Sequence, residues 1–282
     1  KVNGVTVTAM VDSREHLELL ESHAAGKNVN LHVLVELDVS DWFLGQKVGA
    51  MRSPLNKPEH VVEVAKMVDE YPHLSFRGIM GYEGQCASID DKSAFMRWIK
   101  KRSRRLVNEL RQATVDALVD AGLKPEVVDG GGSGCHQDTA AEECVTEVAI
   151  GSLLFKPHIF DGFKSLEDFQ PSMYFALQVV RQPQDDVVTA FSGGYISSGV
   201  QARPIPWFPK GLKAIPREGF GEVQTPFKHD PKQVKIGVGD HVLCRFGKAG
   251  EPLEHFNEVN VYEGGNFVEK LKTYRGEGKK FH

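Results

Sequence analysis

Apolar positions in the first half of the chain follow two alternating rhythms. Short runs rich in β-branched residues predict strands at residues 5 to 12 (VTVTAMVD), 31 to 38 (LHVLVELD), 74 to 84 (LSFRGIMGYEG), 125 to 132 (PEVVDGGG) and 145 to 155 (VTEVAIGSLLF). Between them the period lengthens to that of a helix. Asp12 or Ser13 can cap a helix whose Leu17, Leu20 and Ala24 share one face, and Pro58 opens a second that runs to about Tyr71. A third, long helix is predicted from about Asp91 to Ala121, ended by Gly122. Residues 39 to 57 show no regular period. Strand and helix alternating at this spacing imply parallel strands joined by right-handed crossovers, hence an α/β barrel or a doubly wound sheet.

From about Met173 the helical period disappears. YFALQVVRQ, VVTAFSGGYIS, GEVQTPF, DHVLCRF, FNEVNVYEGG and NFVEKLKTY are β-type runs separated by Gly and Pro turns, which predicts an antiparallel β domain. The expected division is a barrel domain at 1–168 and a β domain at 169–282.

Composition narrows the classes. The 282 residues are 41% apolar and 26% charged with a formal charge of -4, an ordinary globular balance whose mild acidity argues against nucleic acid as a partner. No apolar run is long enough for a membrane span, and the start does not read as a cleavable signal. Cys86, Cys135, Cys144 and Cys244 are scattered without a C-x-x-C pair, so they are expected as reduced thiols in a cytoplasmic protein. The basic run 100–105 (KKRSRR) lies inside the long helical pattern and is expected to be a solvated face.

In parallel α/β folds a ligand lies beyond the carboxyl ends of the strands. Those ends carry Glu36 and Asp38, an acid/base pair or simply loop caps; Tyr82-Glu83-Gly84-Gln85; Asp129 followed by GGGSG; and Gly151-Ser152. Two loops pairing glycine with serine after consecutive strands suggest phosphate binding, because small residues let backbone amides and a hydroxyl surround an anion. No nucleophile elbow, Walker loop, dinucleotide fingerprint or H-E-x-x-H is present. His229, His241 and His255 fit no metal-ligand spacing and are expected as surface or hairpin histidines.

MVDSREHLELL, IMGYEGQ, VVDGGGSG and TEVAIGSLLF, in this order, resemble the pyridoxal-phosphate enzymes of the D-threonine aldolase and D-serine dehydratase group, whose fold is an alanine-racemase-like (β/α)8 barrel with a C-terminal β domain. MRSPL, FSGGYISSG, GEVQTP, KAGEPLEHFNE and TYRGEGK are similar to the bacterial branch labelled amino acid deaminase/aldolase. The resemblance implies a cytoplasmic, homodimeric lyase that cleaves or deaminates β-hydroxy D-amino acids at Cα with pyridoxal 5'-phosphate. A racemase and a non-catalytic cofactor-binding paralogue are the alternatives. It implies cofactor contacts at Tyr82, Gln85, Gly131, Gly132, Ser133, Gly134, Gly151 and Ser152, with Glu222, Gln224, Lys248 and Glu251 as candidates for catalysis. The group's Schiff-base lysine sits on the first barrel strand, three strand-helix units before the match begins at Val5, so about a hundred upstream residues are expected beyond this chain. The group's divalent metal is held from the C-terminal domain; there this chain has Glu251 and Leu253, and since leucine ligates no metal the usual site is not expected, Glu251 being its one weak candidate.

Overall fold

The β-branched runs of the first half build a single parallel sheet. The computed structural model describes residues 4–87, 89–198 and 203–280. Its first elements are β1 (Thr8–Val11), α1 (Arg14–Lys27), β2 (Leu31–Glu36), β3 (Asp41–Phe43), β4 (Gln46–Val48) and α2 (Pro58–Met67). After these come β5 (Leu74–Tyr82), α3 (Gly84–Ala87), α4 (Ala94–Asp120), β6 (Val127–Gly131), α5 (His136–Thr139) and β7 (Glu147–Val148). The sheet order is β1-β2-β5-β6-β7, every neighbouring pair parallel. Helix starts follow the expected chemistry: the Ser13 hydroxyl accepts the His16 amide, the Ser93 hydroxyl accepts the Met96 amide at 3.0 Å, and Pro58 stands in the first turn of α2.

One face of the sheet and the helices share a core of Val11, Leu17, Val33, Val35, Val61, Ile79, Val107, Leu118 and Val128, all almost fully buried. Gly78 is the tightest point of this layer. It sits at φ 155° where the β2–β5 register shifts, and a Cβ there would collide with the Val127 carbonyl oxygen on β6.

The second half folds into β8 (Tyr174–Gln184), β9 (Val187–Phe191), β10 (Ile205–Phe208), β11 (Lys213–Ala214), β12 (Gln224–Lys228), β13 (His241–Arg245), β14 (Glu258–Glu263) and β15 (Asn266–Lys272). Six of these form an antiparallel sheet in the order β10-β13-β8-β9-β12-β11, and β14 pairs with β15 as a separate hairpin. Phe175, Leu177, Val188, Phe227, Val242 and Phe246 form its own core. Contacts divide the chain into Lys1–Gly151 with Phe163–Ser165, and Ser152–Gly162 with Leu166–His282.

Several local expectations change. Of residues 145 to 155 only Glu147–Val148 is strand, and Ser152–Phe155 turns as a 3-10 helix, because β7 has a neighbour on one side only and its ladder ends where the Ala149 amide meets the Gly130 carbonyl. The irregular stretch holds the β3–β4 hairpin, whose turn places Leu44 and Gly45 at φ 49° and 78°, a turn that usually carries Asn-Gly. β10 carries no strand signal in the sequence because Pro206 lies within it; its place at the sheet edge makes the missing donor harmless. The basic run is not one solvated face: Lys100 and Ser103 are 1% and 2% exposed. Of the three histidines, His241 and His255 are exposed, but His229 is buried.

Gly78→Ala is expected to cost at least about 1–3 kcal/mol, since backbone on β6 has to move to admit a methyl group, and urea unfolding followed by circular dichroism measures it.

Candidate functional site

The carboxyl ends of β5, β6 and β7 are neighbours in the sheet, which brings GYEGQ, GGGSG and Gly151 to one edge. Strand β5 ends in Tyr82, and the chain turns at once into α3, burying Glu83 and Gln85 behind it. The Glu83 carboxylate is 2% exposed and fully engaged: Oε2 accepts the Gly131 amide, and Oε1 accepts from Arg111 and from the Thr139 hydroxyl. Arg111, with no exposed surface, also donates to the Gly81 carbonyl and pairs with Glu142. One carboxylate thus joins the end of β5 to the end of β6.

The loop after β6 owes its shape to this packing. Gly131 lies at φ 96°, and a Cβ on Gly132 would stand 2.5 Å from the Ala87 methyl and 3.2 Å from the Tyr82 ring. A Cβ on Gly134 would meet Phe163 and the Ala87 carbonyl. The Cys135 amide closes the loop on the Gly132 carbonyl at 3.1 Å. Among the described residues, the amides of Gly132, Gly134 and Gly151 have no acceptor in the chain. Around Gly151 the space is open, since a Cβ there would meet nothing within 4 Å. Uncommitted donors on small residues at adjacent strand ends are the kind of group that binds an anion such as a phosphate.

Tyr82 borders that loop, half-buried. Arg52 lies 5.2 Å from the centre of its ring and is aimed by Glu36, whose carboxylate is 2.7 Å from the Arg52 Nε. Glu36 and Asp38 therefore do not act together: Asp38 pairs with Lys47 at 2.6 Å and accepts the Ser40 amide. Burial pushes the Asp38 carboxyl up, but those hydrogen bonds outweigh it and hold the group below its ordinary range. Gln85 donates to the Val39 carbonyl at 2.7 Å, while its buried Oε1 has no partner. Cys86 and Cys135 pack with Ala87 beneath Tyr82; burial pushes the Cys135 thiol up to about 12, so it fills space and is no nucleophile.

Asp129 precedes the loop, opposite Glu147 in register, with Oδ1 buried and unpartnered. Desolvation, then repulsion from Glu147, raises its pKa to about 6.

In the second unit, Glu222 and Gln224 are exposed at the start of β12. Lys248 and Glu251 converge on one loop: the Lys248 ammonium donates to the Ser198 hydroxyl at 3.1 Å, and both Glu251 carboxylate oxygens accept the Ser198 amide at 3.0 Å. Leu253 stands in the same short helical turn as Glu251, and among the described residues no group of three or more His, Cys, Asp or Glu could hold a metal ion. None of the described helices is long and apolar enough to cross a membrane.

Sequence reasoning missed Arg52, Lys100 and Arg111 as parts of this edge. The signal available for the last was an arginine at a helix position whose i±4 neighbours, Val107 and Val115, are apolar.

Arg111→Met leaves Glu83 and Glu142 buried without their cation and is expected to cost about 3–5 kcal/mol in chemical denaturation, part of which the added change Glu83→Gln returns. Asp129 binds its proton more tightly in the folded chain than in the unfolded one, so its ionised form opposes folding above about pH 6. Asp129→Asn is therefore expected to raise the melting temperature at pH 8, by an amount that shrinks as pH falls through 6 and vanishes below about pH 4, where the wild-type group is neutral in both states.

Comparison with known proteins places this geometry. The chain is 32% identical over 154 residues to a 3-hydroxy-D-aspartate aldolase of Paracoccus denitrificans (strain Pd 1222), a match that covers 54% of this chain and 36% of that protein's length. Its fold superposes on a D-threonine aldolase from Filomicrobium marinum with a TM-score of 0.83 at 17% identity, covering 96% of this chain and 70% of that one. A D-threo-3-hydroxyaspartate dehydratase from Delftia sp. HT23 superposes with a TM-score of 0.72 at 15% identity, covering 96% and 73%. These likenesses bear out the alanine-racemase-like α/β fold with its C-terminal antiparallel sheet. The model of the alanine racemase N-terminal domain matches residues 2–158, the stretch that carries the parallel sheet and both glycine-serine loops, and the chain belongs to that family.

Proposed function

We propose that this chain forms the cofactor and substrate site of a pyridoxal-phosphate-dependent lyase acting on β-hydroxy D-amino acids, by aldol cleavage or by dehydration and deamination at Cα. The observation that carries the reading is the cradle of free amides at Gly132, Gly134 and Gly151, bordered by the ring of Tyr82. It fits a phosphate ester joined to a flat ring: donors meet the anion, and an aromatic wall stands next to them. The relatives named as a D-threonine aldolase and as 3-hydroxy-D-aspartate aldolase and dehydratase support the substrate class.

In this reading the Gly132, Gly134 and Gly151 amides, helped by Gly131, Ser133 and Ser152, hold the phosphate. Tyr82, steadied by Arg52, lines the ring, and Gln85, held by the Val39 carbonyl, remains a candidate cofactor contact behind it. When bound, the cofactor withdraws electrons from Cα of an amino acid, weakening whichever of its bonds stands perpendicular to the ring. Asp129 holds a proton below about pH 6 and releases it above, which places a titrating carboxyl next to the loop. Glu222, Gln224, Lys248 and Glu251 remain candidates for catalysis. The reading also carries a homodimer, and a cytoplasmic location that four free thiols support.

Equilibrium dialysis is expected to show pyridoxal phosphate retained at least about tenfold more tightly than pyridoxal, with inorganic phosphate competing, because charge-assisted bonds to the phosphate carry the difference. The chain by itself is expected to be inactive without the upstream lysine; in the full-length protein, with D-threonine and D-serine as substrates, glycine plus an aldehyde identifies aldol cleavage and a keto acid plus ammonia identifies dehydration. Equal retention of the two vitamers would sink the reading.

A further inference from the structure

Lys100 is a lysine in a place where lysines are rare. It lies on α4 with 1% of its surface exposed, in the run that composition alone assigns to solvent. Its Nζ meets three acceptors, the Ile89 carbonyl at 2.9 Å, the Gly134 carbonyl at 3.4 Å and the Asp91 Oδ2 at 3.7 Å, with the Phe163 ring centre 4.7 Å away. Three acceptors and a π face around one nitrogen describe an ammonium, which has three donors and nothing to accept with. Burial draws the amine below the usual lysine range, while Asp91 works against that shift. Asp91 is fixed in turn by the Lys164 amide and by the Ser165 hydroxyl at 3.0 Å.

The consequence falls on the glycine-serine loop. The Gly134 carbonyl turns inward to Lys100 and the Cys135 amide turns to Gly132, so the donors left over are the amides of Gly132 and Gly134. A buried ion pair contributes little to stability compared with an apolar residue of similar volume, so packing alone does not account for this lysine. We propose that Lys100 is a positioning residue for the anion site, pinning the Gly134 carbonyl inward and setting a positive charge behind the loop so that its free amides meet a phosphate group. This rests on the reading of the loop as a phosphate cradle and adds to it a group that never touches the ligand.

The test compares equilibrium affinities for pyridoxal phosphate and for pyridoxal in the wild-type chain and in Lys100→Met, which keeps the volume and removes the charge. The expected result is about a tenfold loss of affinity for the phosphorylated form with affinity for pyridoxal retained, the scale of one charged hydrogen bond. Equal losses for both compounds, or none, would overturn the proposal, since a residue that only packs has no means of telling them apart. Should Lys100→Met fail to fold, Lys100→Gln removes the same charge while keeping a polar group that can donate to the surrounding carbonyls: the preference for pyridoxal phosphate is again expected to fall, and an unchanged preference overturns the proposal. A wild-type chain with no preference between the two compounds would instead overturn the phosphate reading itself, and this proposal with it.

Discussion

The edge of the parallel sheet depends on one buried carboxylate. Glu83 accepts the Gly131 amide, the Thr139 hydroxyl and the Arg111 guanidinium at once, and Arg111 reaches on to the Gly81 carbonyl and Glu142. Removing charge from water is expensive, and it is tolerated here because nearly every lone pair and proton in the cluster has a partner. In return, two parallel strands that share only backbone hydrogen bonds become locked at their carboxyl ends, where a loop must keep its amides unpaired. A loop left to itself would satisfy those donors internally or in water.

Glycine at Gly132 and Gly134 is set by neighbours that leave no room for a side chain, namely Ala87, Tyr82 and Phe163. Gly151, by contrast, borders open space. The first two glycines therefore let the loop lie flat against the protein, whereas at Gly151 the chain leaves room for a side chain. Buried charges stand behind both ends of the loop, Glu83 with Arg111 at Gly131 and Lys100 with Asp91 at Gly134. Rigid backbone donors of this kind hold an anion without reorganising when it arrives.

The second unit shows the same economy in another form. Lys248 and Glu251 grip the Ser197-Ser198 end of a glycine-containing loop through two backbone amides, an ammonium, two hydroxyls and a carboxylate, and Phe175, Tyr195, Phe246 and Phe256 form an aromatic cluster in the same unit. Polar side chains that appear in the sequence as free reagents are, in the fold, first of all ties on backbone.

Much of this was legible from the chain alone. Strand and helix periods in the first half, the caps at Ser13 and Pro58, the change to β-type runs after Met173 and the two glycine-serine loops are local patterns, and local patterns survive folding because they record which face of each element is buried. What the sequence could not show is which charged residues turn inward. Lys100 and Arg102 sit two positions apart in one basic run, yet the first is fully buried against Gly134 and the second is half-buried and paired with Asp41, a difference made by the 100° step of a helix against neighbours distant in the chain. Arg52 over Tyr82, Glu83 on Gly131 and Lys100 on Gly134 each join residues 30 or more positions apart. The sequence by itself determined where the sheet's carboxyl edge would place its glycines; only the tertiary structure decided which buried charges hold them there, because desolvated ion pairs are chosen by proximity in space and leave no period along the chain.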